Sequence, residues 1–296
     1  MRVFVTGASG FVGSAIVKDL LNAGHEVVGL ARSESSATAL RVAGAEVYNG
    51  DISNPESLKG AASSCDAVIH TAFNHDFSRY KENCEMDRGV ILALGSALAG
   101  SKKPLVITSG LGLLQKRGPI VETDVPPSSE QVPRAASEEA AVALEAQGIN
   151  VYILRLPPTV HGKGDHGFIP MIIEIAKQKS KSVYINDGNN RWPAVHRSDA
   201  ASMYRLIIEQ QPQQRVFHAI AESGVAFRQI AEAIGKGLQV PVVSKTADEA
   251  APHFTWFTHF AQMDCEASAE KTSAVLGWRP TEIDLIDDLN SGGYFS

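Results

Sequence analysis

The sequence predicts an α/β protein, a doubly wound parallel sheet with a smaller C-terminal lobe, and three observations carry that reading. Short β-branched runs alternate with helical segments through the first half, the pattern of βαβ units. A glycine triplet stands where the opening strand gives way to the first helix. At 296 residues the chain suits one large domain with an appended lobe and is too short for several independent ones.

Taken in order, strands are expected over 2–6, 26–31, 45–49, 67–71 and 105–108, with a sixth over 151–156. Helices are expected between them near 11–23, 35–43, 55–62, 80–99 and 133–147. Right-handed crossovers place those helices on both faces of the sheet. After Leu156 the pattern loosens into a Pro/Gly-rich loop, a helix over 169–177, a short run over 183–185 and a helix from Ser198. The tail carries helical patterns near 226–238, 248–260, 268–276 and 283–289, with no repeat or long linker, so it is expected to pack onto the sheet as a lobe.

Bulk properties exclude several classes. Hydrophobic residues make up 44% and charged residues 20% of the chain, ordinary for a globular enzyme. A net charge of −6 without a basic run lacks the footprint that nucleic acid requires. Cys65, Cys84 and Cys265 lie far apart with no metal-ligand spacing, which argues for a reducing compartment and against a zinc site or disulfide frame. The opening strand has no secretory flank, and no apolar stretch approaches the ~20 residues that span a bilayer. A cytoplasmic protein without membrane partners is expected.

The strongest local signal is Thr6-Gly7-Ala8-Ser9-Gly10-Phe11-Val12-Gly13, in the strand-to-helix context of a Rossmann unit. Gly7 permits the tight turn, Gly10 lets amides approach a diphosphate, and Gly13 allows close packing of helix on strand. Ser9, Phe11 and Val12 share that loop. At the end of the second strand, where an acidic residue would select a ribose 2′-hydroxyl, stands Arg32, followed by Ser33. A guanidinium suits a 2′-phosphate, so NADP(H) is favoured over NAD(H); the alternative is a solvated surface charge. Asp51 and Ile52 could meet the adenine, or Asp51 could cap the next helix.

These phrases, with Asp66-Ala67-Val68-Ile69-His70-Thr71-Ala72, Leu154-Arg155-Leu156-Pro157-Pro158-Thr159-Val160-His161-Gly162, Val195-His196-Arg197-Ser198-Asp199 and Leu276-Gly277-Trp278-Arg279-Pro280, resemble the extended short-chain dehydrogenase/reductase family across nearly the whole chain. The resemblance implies a seven-stranded Rossmann sheet and nicotinamide chemistry on carbonyl, alcohol or sugar substrates. It divides the chain into a cofactor domain over 1–160, with 190–222 returning to it, and a substrate lobe over 161–189 and 223–296. It places Thr71, Ala72, Phe73 and Thr108 along the cofactor and Pro157 and Val160 beside the nicotinamide. It also implies that a homodimer could form through the helices over 80–99 and 133–147.

One departure limits the functional reading. The family's Tyr-x-x-x-Lys pair is missing: none of the six tyrosines is followed four positions later by lysine. Arg134 and Glu138 stand where the pair should fall, either within the site or as a surface i,i+4 ion pair. An arginine cannot pass a proton at neutral pH, although it can donate hydrogen bonds to a developing alkoxide. The family's Ser or Thr after strand five is met by Thr108-Ser109-Gly110, so the position is Ser109 or is lost to Gly110. A replacement acid is sought among histidines: His75 (with Asp76) after strand four, and His161 and His166 on the glycine-rich loop. His70 reads as a packed strand-end residue. Aromatics over 253–260, with Trp192 foremost, could line an apolar substrate pocket or pack the core.

The expected function is NADP-dependent reduction of a small carbonyl or imine substrate. The alternatives are an epimerase, dehydratase or isomerase that borrows and returns the hydride, and a non-catalytic NADP(H)-binding regulator.

Overall fold

The computed structural model describes residues 1–114, 116 and 118–295. The first half runs β1 (Arg2–Thr6), α1 (Phe11–Asn22), β2 (Glu26–Ala31), α2 (Glu34–Ala43), β3 (Glu46–Asn49), α3 (Lys59–Ser64), β4 (Ala67–His70), α4 (Tyr80–Ala97), β5 (Leu105–Gly110), α5 (Ala136–Ala146) and β6 (Val151–Leu156). There follow β7 (Thr159–His161), α6 (Phe168–Lys179), β8 (Ser182–Ile185), β9 (Arg191–His196), α7 (Arg197–Gln210) and β10 (Val216–His218). The chain ends with β11 (Glu222–Ala226), α8 (Phe227–Leu238), β12 (Val242–Lys245), α9 (Ala247–Phe254), α10 (Thr258–Ala261), α11 (Glu270–Leu276) and α12 (Leu285–Asn290).

Seven parallel strands form the central sheet in the order β3-β2-β1-β4-β5-β6-β10. The strand order reverses between β1 and β4, and their carboxyl ends open the crevice where such sheets bind ligands. Central strands such as Val3-Phe4-Val5 are apolar without alternation because both faces are covered. On one face Ile16 and Leu20 of α1 meet Tyr204 and Ile207 of α7; on the other Ile91 and Leu94 of α4 meet Leu144 of α5. A further core joins Ile172, Trp192, Phe227, Ile234, Phe254 and Phe257 with Leu285 of α12.

Two sequence expectations change. The helix expected over 248–260 breaks into α9, a turn at Thr255–Phe257 and α10, because Thr255 adopts φ +53°. The loosely patterned region holds β7, β9 and β11 in one small sheet and β8 and β12 in another. Among the described residues no helix is long and apolar enough to cross a membrane.

Candidate active site

The turn between β1 and α1 is shaped by three glycines. Gly7 has φ +69°, and a Cβ there would lie 2.6 Å from Thr71 Oγ1. A Cβ on Gly13 would lie 2.0 Å from the Gly7 carbonyl oxygen, so only glycine lets α1 start this close to the strand. The Gly10 amide donates to Gly7 O at 2.8 Å, and Gly10 caps α1 without a side-chain bond. Amides of the first turn thus meet the crevice with the helix dipole behind them, a setting that favours an anion. Ser9 and Gly10 are exposed there, and Phe11 and Val12 are half-buried. Across the turn, the Thr71 hydroxyl donates to Thr6 O at 2.8 Å and the Ala72 amide to Thr6 Oγ1 at 3.4 Å.

At the far end of this groove, Arg32, Ser33, Gly50, Asp51 and Asn54 border an open hollow of about 460 Å³. Arg32 is exposed. Ser33 Oγ caps α2, accepting from Ser36 N at 3.2 Å. Asp51 Oδ1 accepts from Ser53 N at 2.7 Å and so closes a tight turn, while the next helical turn starts at Pro55 with Asn54 as its N-cap, so Asp51 does not cap it; the carboxylate borders the hollow. Its pKa is lowered chiefly by the Ser53 hydrogen bonds, with Arg32 a smaller cause. Ile52 packs partly against the sheet core. The residues present fit a dinucleotide: amides for its diphosphate, a guanidinium and a roomy hollow for its adenosine end.

The positions of the missing Tyr-x-x-x-Lys pair hold two separate buried networks. Arg134 Nη1 donates to Asp87 Oδ2 at 2.7 Å and to the Ser137 hydroxyl, Nη2 donates to Thr108 O at 3.2 Å, and the guanidinium lies 4.2 Å from the Phe73 ring centroid. Asp87 Oδ1 sits 2.9 Å from His70 Nε2, and His70 Nδ1 2.7 Å from Thr6 Oγ1. His70 is a packed strand-end residue, as expected. Burial alone would raise the Asp87 pKa, but the Arg134 cation and the His70 and Ser137 bonds outweigh it and hold it at about 2.

Glu138 pairs instead with Arg155, at 2.8 Å from Nε and 2.7 Å from Nη2, and accepts from Ser109 Oγ at 2.6 Å. The surface pair between Arg134 and Glu138 does not form, because each has a nearer buried partner. Two proposed site residues are thereby corrected: Ser109 and Glu138 are 3% and 4% exposed and face Arg155, so neither can meet a substrate oxygen. Side chains alternate along β5, with Thr108 Oγ1 bonded to His70 O and to the Tyr204 hydroxyl, both at 2.8 Å, and Ser109 on the opposite face. The family's serine position therefore falls to Gly110.

His75 and His166 lie near enough for their charges to interact. His75 is exposed, with its ring 5.2 Å from Phe73 and 6.4 Å from Phe77. Its pKa is lowered by desolvation, then by the charges of Arg134 and His166. His166 packs edge-on to Phe11 at 5.7 Å, bringing its loop over the start of α1. That loop is fastened from the C-terminus: the Tyr294 hydroxyl donates to Asp165 Oδ2 and accepts from the Gly162 amide, both at 3.0 Å.

His161 and Trp192 are also corrected. His161 belongs to β7, is wholly buried, and holds Asp288 of α12 at 2.9 Å through Nδ1. Trp192 is equally buried within the lobe core, its indole donating to Met263 O at 3.1 Å. Neither presents a surface to a substrate. Pro157 is buried, and Val160 packs against the sheet core. Sequence reasoning missed Asp87 and Tyr294, which carry no motif; the buried His70 was the clue that an acid partner must exist.

Residues 3–219 match the sequence model of the NAD dependent epimerase/dehydratase family. An uncharacterised protein of Schizosaccharomyces pombe is 47% identical over the full length of both chains. A sterol-4-alpha-carboxylate 3-dehydrogenase (decarboxylating) of Dictyostelium discoideum is 27% identical over 77% of this chain and 73% of its own. Among solved structures, a dTDP-glucose 4,6-dehydratase from Streptomyces venezuelae, with NAD and TYD bound, superposes with TM-score 0.77 at 19% identity, covering 100% of this chain and 96% of that one.

Proposed function

The chain belongs to the NAD-dependent epimerase/dehydratase family of extended short-chain dehydrogenases/reductases, and on that premise we propose that it is an NADP(H)-linked oxidoreductase that reduces a carbonyl group of a small organic substrate. The observation that carries this reading is that the Gly7–Gly13 cradle meets Thr71 and Ala72, and the next residue, Phe73, packs against both His75 and Arg134. The Dictyostelium relative, by name a dehydrogenase, supports redox turnover over epimerisation.

In this reading the amides after Gly7 would hold the diphosphate, Arg32 and Ser33 the 2′-phosphate, and Asp51 and Ile52 the adenine. Thr71, Ala72, Phe73, Thr108, Pro157 and Val160 border the nicotinamide half. When bound, the nicotinamide would supply the hydride for reduction of the carbonyl carbon. His75 gives a proton to the carbonyl oxygen and regains one from solvent, while Arg134, fixed by Asp87, favours negative charge on that oxygen.

Titration with NADPH and NADH, followed by NADPH absorbance over a carbonyl panel, tests the proposal. NADPH should bind at least about tenfold tighter, Arg32→Ala should abolish that preference, and a carbonyl should drive net NADPH consumption. Equal binding of the two cofactors refutes the NADP assignment. Turnover without net consumption indicates an enzyme that returns its hydride. The homodimer is likewise a proposal: the α4 and α5 faces keep Leu92 and Val142 exposed, and sedimentation velocity reads the assembly.

A further inference from the structure

Phe77 and Trp256 are, with 42% and 58% of their surface exposed, the two large aromatic side chains left open among the described residues. They touch each other, with centroids 6.2 Å apart and rings inclined by 34°. Phe77 follows β4 two residues after His75, whereas Trp256 comes from the distant turn between α9 and α10. Two exposed aromatics from separate parts of the chain thus meet beside the group assigned to proton transfer. Tyr80 extends the surface, 5.8 Å from Phe77 and 6.4 Å from Phe73, and Phe260 backs Trp256 at 6.2 Å.

The backbone that presents Trp256 is strained. Thr255 sits at φ +53°, ψ −122°, a region that a β-branched residue rarely enters. Its neighbours hold it there, the Thr255 hydroxyl donating to Phe254 O and the Thr258 hydroxyl to Thr255 O, both at 2.7 Å. Strain of this kind persists where the surroundings over-determine it and clusters at ligand sites.

We propose that Phe77 and Trp256 form the substrate platform and that the substrate is a flat, uncharged, apolar carbonyl compound, an aryl ketone or aldehyde, instead of a nucleotide sugar. This rests on the oxidoreductase reading above. Ring faces at this inclination offer offset stacking and apolar area to a planar group. Phe73, Phe77, Tyr80, Trp256 and Phe260 carry no cation, whereas a nucleotide diphosphate needs charge-assisted donors. Among the described residues, the guanidinium at the platform's inner end, Arg134, is already paired with Asp87.

The test compares an aryl ketone with a linear alkyl ketone of equal carbon number and with UDP-glucose, as NADPH-dependent turnover by wild type, Trp256→Ala, Phe77→Ala and Trp256→Phe. The aryl ketone should lead in kcat/KM, Trp256→Ala should raise its KM about tenfold, and Trp256→Phe should recover most of the loss. NADPH affinity should stay constant in all three variants. Calorimetry of the aryl ketone on the NADP-loaded protein separates the two readings. Binding weakened by Trp256→Ala without NADPH consumption leaves the platform standing and removes the reductase. Consumption with no aryl preference, a preference for UDP-glucose, or no aryl-ketone binding at all overturns the platform.

Discussion

Replacing Asp87 with asparagine should cost the protein about 3 kcal/mol at neutral pH and release Arg134 from its fixed position. Asp87 is 3% exposed, and its two oxygens serve His70, Ser137 and Arg134. Its carboxyl lies at about 2 in the fold against an ordinary 3.8, and at ~1.4 kcal/mol per unit that difference corresponds to about 2 kcal/mol of stabilisation. Asparagine also leaves the Arg134 guanidinium, 14% exposed, without its counter-ion, and removing one partner of a buried pair costs roughly 3–5 kcal/mol. Partial access to water puts the expectation at the lower end. Urea unfolding of wild type and Asp87→Asn across acid and neutral pH measures it. Because the folded pKa is depressed, the carboxylate's contribution is complete above the unfolded value of 3.8 and is lost as pH falls toward about 2. The gap between the proteins should therefore be flat near neutrality and close in acid. Equal stability at neutral pH, or a gap unchanged down to about pH 2, would show that the Asp87–Arg134 pair does not stabilise the fold in this way.

Gly13→Ala places a methyl 2.0 Å from a backbone oxygen, so NADPH affinity should drop by at least about tenfold as α1 moves off the strand; unchanged titration curves would contradict the cradle. His75→Gln should lower kcat by about 10²-fold to 10⁴-fold with little change in NADPH affinity. Since partial desolvation among its aromatic neighbours, then Arg134 and His166, disfavour its imidazolium, wild-type reduction should decline with rising pH through a pKa below 6.5; a flat profile there removes His75 as proton donor. Tyr294→Phe deletes the bonds to Asp165 and Gly162, so amides of the loop over 162–167 should exchange faster, by about 1–2 kcal/mol in protection. Identical exchange would mean that the C-terminus does not hold that loop.

The doubly wound sheet was legible because its signals are local. Strands covered on both faces read as unbroken apolar runs, and the glycines at 10 and 13 answer to the Gly7 carbonyl within a single turn. The small sheets were not legible because β7 spans three residues and β8 and β12 four each, too few for a two-residue period to stand out. The break after α9 was hidden for a related reason. Thr255 turns left-handed although nothing in a threonine announces it, so Trp256 read as one more residue of an amphipathic helix.

The positions of the missing pair were located in sequence but their partners were not, and helix geometry explains the gap. Residues four apart share a face only on a regular α-helix. Arg134 lies in the tighter turn Pro133–Ala135 that precedes α5, whereas Glu138 lies within α5 itself. The two side chains diverge, Arg134 to an aspartate 47 positions back and Glu138 to an arginine 17 positions ahead. Both substituted positions thus end in neutralised pairs, and a neutralised pair orients neighbours better than it exchanges protons. The proposed proton transfer therefore calls for a group with a solvent face, and His75, exposed beside Phe73 with a pKa lowered by desolvation first and by Arg134 second, is the residue that reading assigns to it.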